Sequence, residues 1–360
     1  MNQAGTRPVR VVAPDDLLQP AVLEGLLGPI TSLSVQPLQN HGYSGALLQR
    51  LQVQLSRGGC QRLIHKRVRL AEDWTAYRSE DALGRQAALL AEPRLQAVWD
   101  VLACPYRAYA AANGEVGLLM ADLTRWLLPD VDAPLSIGQE DQLLSALASL
   151  HARYWQSDVL DLEWLARPAQ IMRVLGPEAP QLDVGRPLEP LFELVRAGWA
   201  AALARLPERL AHWLLLPADD TVRQLATGLP LTLLHGDAKV ANFALLPTGV
   251  AVLDWSWVGA GPCTLDLGWY LAVNAGRLAR PKAAVIRSYR GRLERALGTT
   301  LPDELWSRLL AFGVLAGARL LLWQKALALE AGSPRAADEW AWWLLALEQT
   351  ALPHLEATRA

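Results

Sequence analysis

The stretch Leu-Leu-His235-Gly236-Asp237-Ala-Lys239-Val-Ala-Asn242-Phe, followed by Val-Leu-Asp254-Trp255, holds the densest polar chemistry in the chain. Two carboxylates, a lysine and an asparagine fall within eighteen residues, framed by apolar runs. Asp237, preceded by glycine, can orient a hydroxyl. The amide oxygen of Asn242 and the carboxylate of Asp254 are hard ligands suited to Mg²⁺. Lys239 can reach a transferring phosphoryl group. These are the parts of a phosphoryl-transfer site, where positioning and charge neutralisation do most of the work.

Short apolar strands position these groups. Leu231 to Leu234 reads as a strand pointing into His235-Gly236-Asp237. Phe243 to Leu246 and Val250 to Leu253 read as a hairpin closed by Pro247-Thr248-Gly249. Asp237 and Asn242 then lie on the loop before the hairpin, and Asp254 closes it.

His-Gly-Asp-x-Lys-x-x-Asn, followed by a strand ending in Asp, resembles the catalytic and metal loops of the protein-kinase-like superfamily. The His-Gly-Asp form and the Asp254-Trp255 ending resemble the aminoglycoside phosphotransferase and choline kinase branch. The resemblance implies that Asp237 is the catalytic base, that Asn242 and Asp254 hold Mg²⁺ with ATP, and that Lys239 stabilises the γ-phosphoryl. It also implies that His235 braces the loop and that Asp266 braces it through backbone N–H groups. His151, in Leu150-His151-Ala152, reads as a satisfied core histidine.

The order upstream agrees with the resemblance. Pro14 to Leu27 has the pattern of a leading helix, and Ile30 to Gln36 that of a strand. The turn Asn40 to Gly45, which contains Ser44, resembles a shortened phosphate-covering glycine loop, although two glycines in a hairpin turn are ordinary. On the strand Gln61 to Leu70, Ile64, Lys66, Val68 and Leu70 share one face and His65, Arg67 and Arg69 the other. A lysine on an apolar face needs a partner or an anion; snorkelling to water is the plainer alternative. The resemblance makes Lys66 the lysine that grips the α- and β-phosphates. Asp73 to Glu92 reads as one helix stopped by Pro93. Where the family pattern has a glutamate paired with the lysine, the best-phased position is Gln86, able to accept a bond from Lys66 but not to neutralise it; Glu80 is a possible substitute. Strands Cys104 to Ala111 and Val116 to Met120 flank Asn113-Gly114. Met120 to Leu123 then resembles the hinge that holds the nucleotide base, with Asp122 also suited to cap the next helix.

Composition bounds the remainder. The chain has 360 residues, 52% of them hydrophobic, and a formal net charge of -2. That length suits about two lobes, and that charge gives nucleic acid no global attraction. Three well-separated cysteines form neither a zinc pattern nor a disulfide framework, which fits a reducing cytoplasm. The start lacks the apolar core of a signal peptide. The run Leu309 to Ala318 is too short to span a bilayer and reads as a buried helix. Beyond Pro134 the pattern is mostly helical, with Pro168 to Arg186 expected as a loop.

The expected fold is therefore α+β and two-lobed, protein-kinase-like. Residues 1–119 form a β-rich nucleotide-binding lobe, 120–124 a hinge, and 125–360 a mainly helical catalytic and substrate-binding lobe. The expected activity is transfer of the γ-phosphoryl of ATP to a hydroxyl of a small molecule, an aminosugar or amino alcohol. Asp237 and Lys239 are the expected catalytic residues; Ser44, Lys66, Met120, Asn242 and Asp254 contact Mg²⁺-ATP. No nucleic acid or membrane partner is expected. The alternative is a nucleotide-binding pseudokinase with a scaffold or sensor role, which Gln86 favours. A metal-dependent hydrolase is disfavoured because histidine ligands are sparse.

Overall fold

The computed structural model describes residues 7–39, 45–129, 131, 133–179 and 189–357. The chain divides into two compact units, Met1–Pro129 with Ala241–Ser256 and Asp130–Val240 with Trp257–Ala360. The expected glycine-bearing turn, with Ser44, lies outside the described residues.

In the first unit, β1 (Val9–Arg10), β2 (Ile30–Leu38), β3 (Leu47–Leu55), β4 (Cys60–Arg69), β5 (Tyr106–Ala112) and β6 (Glu115–Ala121) form one sheet in the order β1-β5-β6-β4-β3-β2. β1 runs parallel to β5, and the other neighbours are antiparallel. Asn113 and Gly114 both take positive φ, 53° and 75°, the conformation that an Asn-Gly hairpin turn requires. A 3₁₀ turn, Pro14–Leu18, and helix α1 (Pro20–Leu27) cover one face of the sheet. Leu17 and Leu23 pack there on Leu51, Val53, Leu63 and Leu119. Gly117 permits this approach, since a Cβ there would lie 2.6 Å from Leu17 Cδ1.

This layering adds a second covered face to the reading of β4. The face beneath α1 carries Leu63, and by strand alternation His65, whereas Lys66 and Val68 point the other way. All four are buried, so the Lys66 face is covered as alternation indicates and the opposite face is covered as well. Burial, reinforced by the Arg67 charge, lowers the His65 pKa to about 4.

The single helix expected over Asp73 to Glu92 is in fact two, α2 (Trp74–Arg78) and α3 (Arg85–Ala91). Asp73 caps α2 by accepting the Ala76 N–H at 2.9 Å. The chain then turns through Glu80, at φ 57°. Asp81 accepts the N–H groups of Gly84 and Arg85, each at 2.8 Å, and so starts α3. A short helix, α4 (Val98–Val101), precedes β5.

The second unit is mainly helical. Its helices are α5 (Ile137–Arg153), α6 (Pro168–Arg173), α7 (Glu189–Leu203), α8 (Glu208–Leu214), α9 (Ala218–Leu225), α10 (Thr264–Val273), α11 (Lys282–Leu297), α12 (Asp303–Glu330), α13 (Ala336–Ala346) and α14 (Leu352–Ala357). Helix α6 occupies the start of the expected loop, with Pro168 at its first position, where the missing N–H costs nothing. Ser136 and Gln139 cap α5 reciprocally, at 3.2 and 2.9 Å. Strand β7 (Thr232–Leu234) pairs antiparallel with β10 (Gly259–Gly261). α10 crosses α12 at glycines: a Cβ on Gly317 would lie 2.6 Å from the Gly268 carbonyl oxygen. Leu309 to Ala318 is buried within α12 apart from an intermediate Leu310. By length and composition α12 is apolar enough to cross a membrane, and 78% of its most apolar window is buried inside the fold.

The remaining strands, β8 (Phe243–Leu246) and β9 (Gly249–Val252), form the expected hairpin. It belongs to the first unit, where the Ala103 N–H donates to the Val250 carbonyl at 2.9 Å.

Candidate active site

In the second unit, β7 delivers the chain into His235-Gly236-Asp237. Gly236 takes φ 86°, and a Cβ on it would run into the Trp257 carbonyl and side chain, so the turn admits only glycine. The buried Asp266, in the first turn of α10, accepts the His235 N–H and the Gly236 N–H, each at 2.8 Å. Its carboxylate also bonds His151 Nε2 at 3.1 Å, and His151 Nδ1 lies 2.6 Å from the Tyr289 hydroxyl. Burial alone would push Asp266 up; the His151 hydrogen bond, with the His151 and His235 charges and the His235 N–H, outweighs it and holds the carboxyl below its usual range. Asp266 thus braces the loop through backbone N–H groups, and His151 is a satisfied core histidine.

Asp237 is itself 9% exposed. Its Oδ1 accepts the Trp269 indole N–H at 2.8 Å, and Lys239 Nζ lies 3.4 Å from Oδ2. The Asp237 N–H donates to His235 Nδ1 at 3.2 Å, so His235 contributes to the brace. Asn274 fixes the next residues, accepting the Val240 N–H at 2.8 Å and donating to the Ala238 carbonyl at 3.1 Å. A carboxylate held by an indole N–H, on a loop whose backbone is fixed on both sides, can hold a hydroxyl in one orientation.

In the first unit, Asp254 follows β9 with φ 60°, a strained left-handed conformation for a non-glycine residue. Its Oδ1 receives Lys66 Nζ at 2.9 Å, Gln86 Nε2 at 3.1 Å and Ser256 Oγ at 3.2 Å. The expected bond from Lys66 to Gln86 is replaced by this shared acceptor. Gln86 carries no charge, so Lys66 takes the nearer carboxylate and the amide donates to the same oxygen. Glu80 does not substitute, being exposed in the turn between α2 and α3. Lys66, Asp73, Gln86, Asp254 and Ser256 line a cavity of about 30 Å³. Burial raises the Asp73 carboxyl, against the Ala76 N–H and the Lys66 charge.

Asn242 sits just before β8, and its carbonyl accepts the Leu253 N–H at 2.8 Å. The hairpin therefore fastens the residue before its first strand beside the residue leading into Asp254. One amide and one carboxylate, both hard oxygen donors, fit Mg²⁺, which takes few protein ligands when phosphates supply the rest. Among the described residues, no three His, Cys, Asp or Glu converge as a full metal cage. Met120, on β6, is buried and pairs with Ile64 across β4.

The structure thus joins Lys66, Gln86 and Asp254 in the first unit, and Asp237, Lys239, Asp266 and Trp269 in the second. Trp269 was missed from sequence. The available signal was its place three residues beyond Asp266, on the same face of one helix.

The family model for the phosphotransferase enzyme family matches residues 44–312. No curated protein matches the chain in sequence. Among solved structures, the chain is similar to a choline kinase from Cryptosporidium parvum Iowa II (10% identity, 94% of each chain, TM-score 0.48). It is similar also to an aminoglycoside-3'-phosphotransferase of type VIII (17% identity, 84% of this chain and 98% of that one, TM-score 0.43). A third is an amicoumacin kinase in complex with AMP-PNP and Ca²⁺ (12% identity, 88% and 89%, TM-score 0.41). The match over residues 44–312 places the chain in the phosphotransferase enzyme family, as a small-molecule phosphotransferase.

Proposed function

We propose that the chain transfers the γ-phosphoryl of ATP to a hydroxyl of an aminosugar or amino alcohol, with Asp237 as the base. The observation that carries this reading is the Asp237 carboxylate, held by Trp269 on a loop braced by Asp266. Asp237 orients the acceptor hydroxyl and takes its proton as the oxygen attacks phosphorus. Lys239 offsets charge on the transferring group. Lys66 binds the α- and β-phosphates, exchanging its Asp254 contact for phosphate oxygens. Asn242 and Asp254 are the residues that would hold Mg²⁺, which when bound neutralises phosphate charge. Ser44 and Met120 contact the nucleotide.

In this reading residues 1–119 bind nucleotide, 120–124 connect, and 125–360 carry the base and the acceptor site, in a cytoplasmic enzyme. The test is ADP release with Mg²⁺ and ATP across a panel of aminosugars and amino alcohols. Acceptor-dependent release supports the proposal. The second reading, a nucleotide-binding pseudokinase, draws on Gln86, which leaves Lys66 without a carboxylate from α3. Nucleotide binding without turnover on any acceptor favours it.

A further inference from the structure

A wide cleft of about 1620 Å³ lies wholly within the first unit, lined by the start of β4, the segment from Pro93 to Arg107, the chain after β6 and the β8–β9 turn. Six arginines line it against two aspartates, Asp100 and Asp122. Over the whole chain acidic residues slightly outnumber basic ones, so this is a local concentration of positive charge.

Its arginines are unevenly matched. Arg50 is paired with Asp122 at 3.1 Å, and Arg94 with Glu92 at 2.9 Å. Arg62 and Arg107 have no acidic partner among the described residues. Arg107 is half-buried and sits where the β5–β6 register slips between Tyr106 and Ala108. Such a bulge re-aims a side chain out of the regular alternation. Burial lowers its affinity for the proton. Holding several guanidinium groups around one cleft costs repulsion that a bound anion relieves.

We propose that this cleft is a binding site for a small polyanion, with Arg107 and Arg62 as its principal ligands. Each guanidinium offers a planar fork to phosphate or carboxylate oxygens. The spread of arginines over a cleft this large fits a molecule with several anionic groups better than a single phosphate. The site shares none of Lys66, Asp237, Asn242 or Asp254 and does not rest on the proposed transfer reaction.

The test is calorimetric titration of the full chain, at low ionic strength and without nucleotide, with inorganic tripolyphosphate and separately with citrate. Binding of either that weakens in the arginine variants and persists in Lys66→Ala supports the site, and the better ligand names its class. Arg107→Ala and Arg62→Ala are each expected to weaken binding about tenfold or more, as loss of a charge-assisted bond does. Arg62 is exposed, so its variant keeps the test valid if Arg107→Ala fails to fold. Lys66→Ala should leave the affinity unchanged. Failure of both probes to bind overturns the proposal, as does binding that survives both arginine variants, whether or not it disappears in Lys66→Ala.

Discussion

Replacing Trp269 by phenylalanine should slow phosphoryl transfer while leaving the fold standing. The indole N–H donates to Asp237 Oδ1 at 2.8 Å, and both residues are buried, at 4% and 9% exposure. Phenylalanine keeps most of the ring and removes the donor. A hydrogen bond to a charged group contributes about 1.5–3 kcal/mol. Each ~1.4 kcal/mol on the barrier is tenfold in rate, so kcat should fall between about tenfold and a hundredfold. The loss should appear in kcat and kcat/KM together, with KM for the acceptor shifted by less than about threefold, because the bond orients a reacting group. The assay is steady-state ADP release with a turned-over acceptor, alongside a thermal unfolding curve. The expected stability cost is only about 1 kcal/mol. A kcat within about twofold of wild type, with unchanged stability, would refute the reasoning, since Asp237 would then be positioned by other contacts.

Three further outcomes are expected. Asp266→Asn should destabilise the chain by about 3–5 kcal/mol in urea unfolding, because the carboxylate is buried and accepts two loop N–H groups and a His151 bond; a loss under about 1 kcal/mol would contradict the brace. The same carboxyl sets an acid limit. Its folded pKa lies below its usual value, so the unfolded state binds the proton more readily and the stabilisation is present above about pH 4 and lost below it. The gap between wild type and Asp266→Asn should therefore narrow as urea midpoints are measured at falling pH; a constant gap would exclude the mechanism. Gly268→Ala should abolish soluble expression or lower the melting temperature sharply, because the added Cβ meets the Gly313 backbone where α10 crosses α12; a wild-type melting curve would show that the crossing yields.

Much of the first unit is legible because its determinants are local. Asn113-Gly114 and Pro247-Thr248-Gly249 mark their hairpins within a few residues, and period-2 patterning finds β4. The break between α2 and α3 was hidden because it depends on Asp81 accepting two backbone N–H groups, a competition that apolar periodicity does not register. The parallel pairing of the two-residue β1 leaves no pattern at all. At the site, residue types and spacing marked Asp237, Lys239, Asn242 and Asp254, since their chemistry is unusual between apolar runs. The contacts that hold them were not legible. Gln86 reaches Asp254 across 168 residues, and Trp269 reaches Asp237 across 32. Such pairings arise from tertiary packing, and a glutamine or tryptophan within an apolar stripe looks like any other core residue.

The central claim is that Asp237 is the base of an ATP-dependent transfer, and Asp237→Asn tests it most directly. The amide can still accept the Trp269 N–H but cannot take a proton. With Mg²⁺, ATP and an acceptor that wild type turns over, kcat should fall by about a hundredfold or more, as loss of a general base does, while nucleotide affinity and melting temperature stay near wild type. Turnover close to wild type in Asp237→Asn would contradict the account.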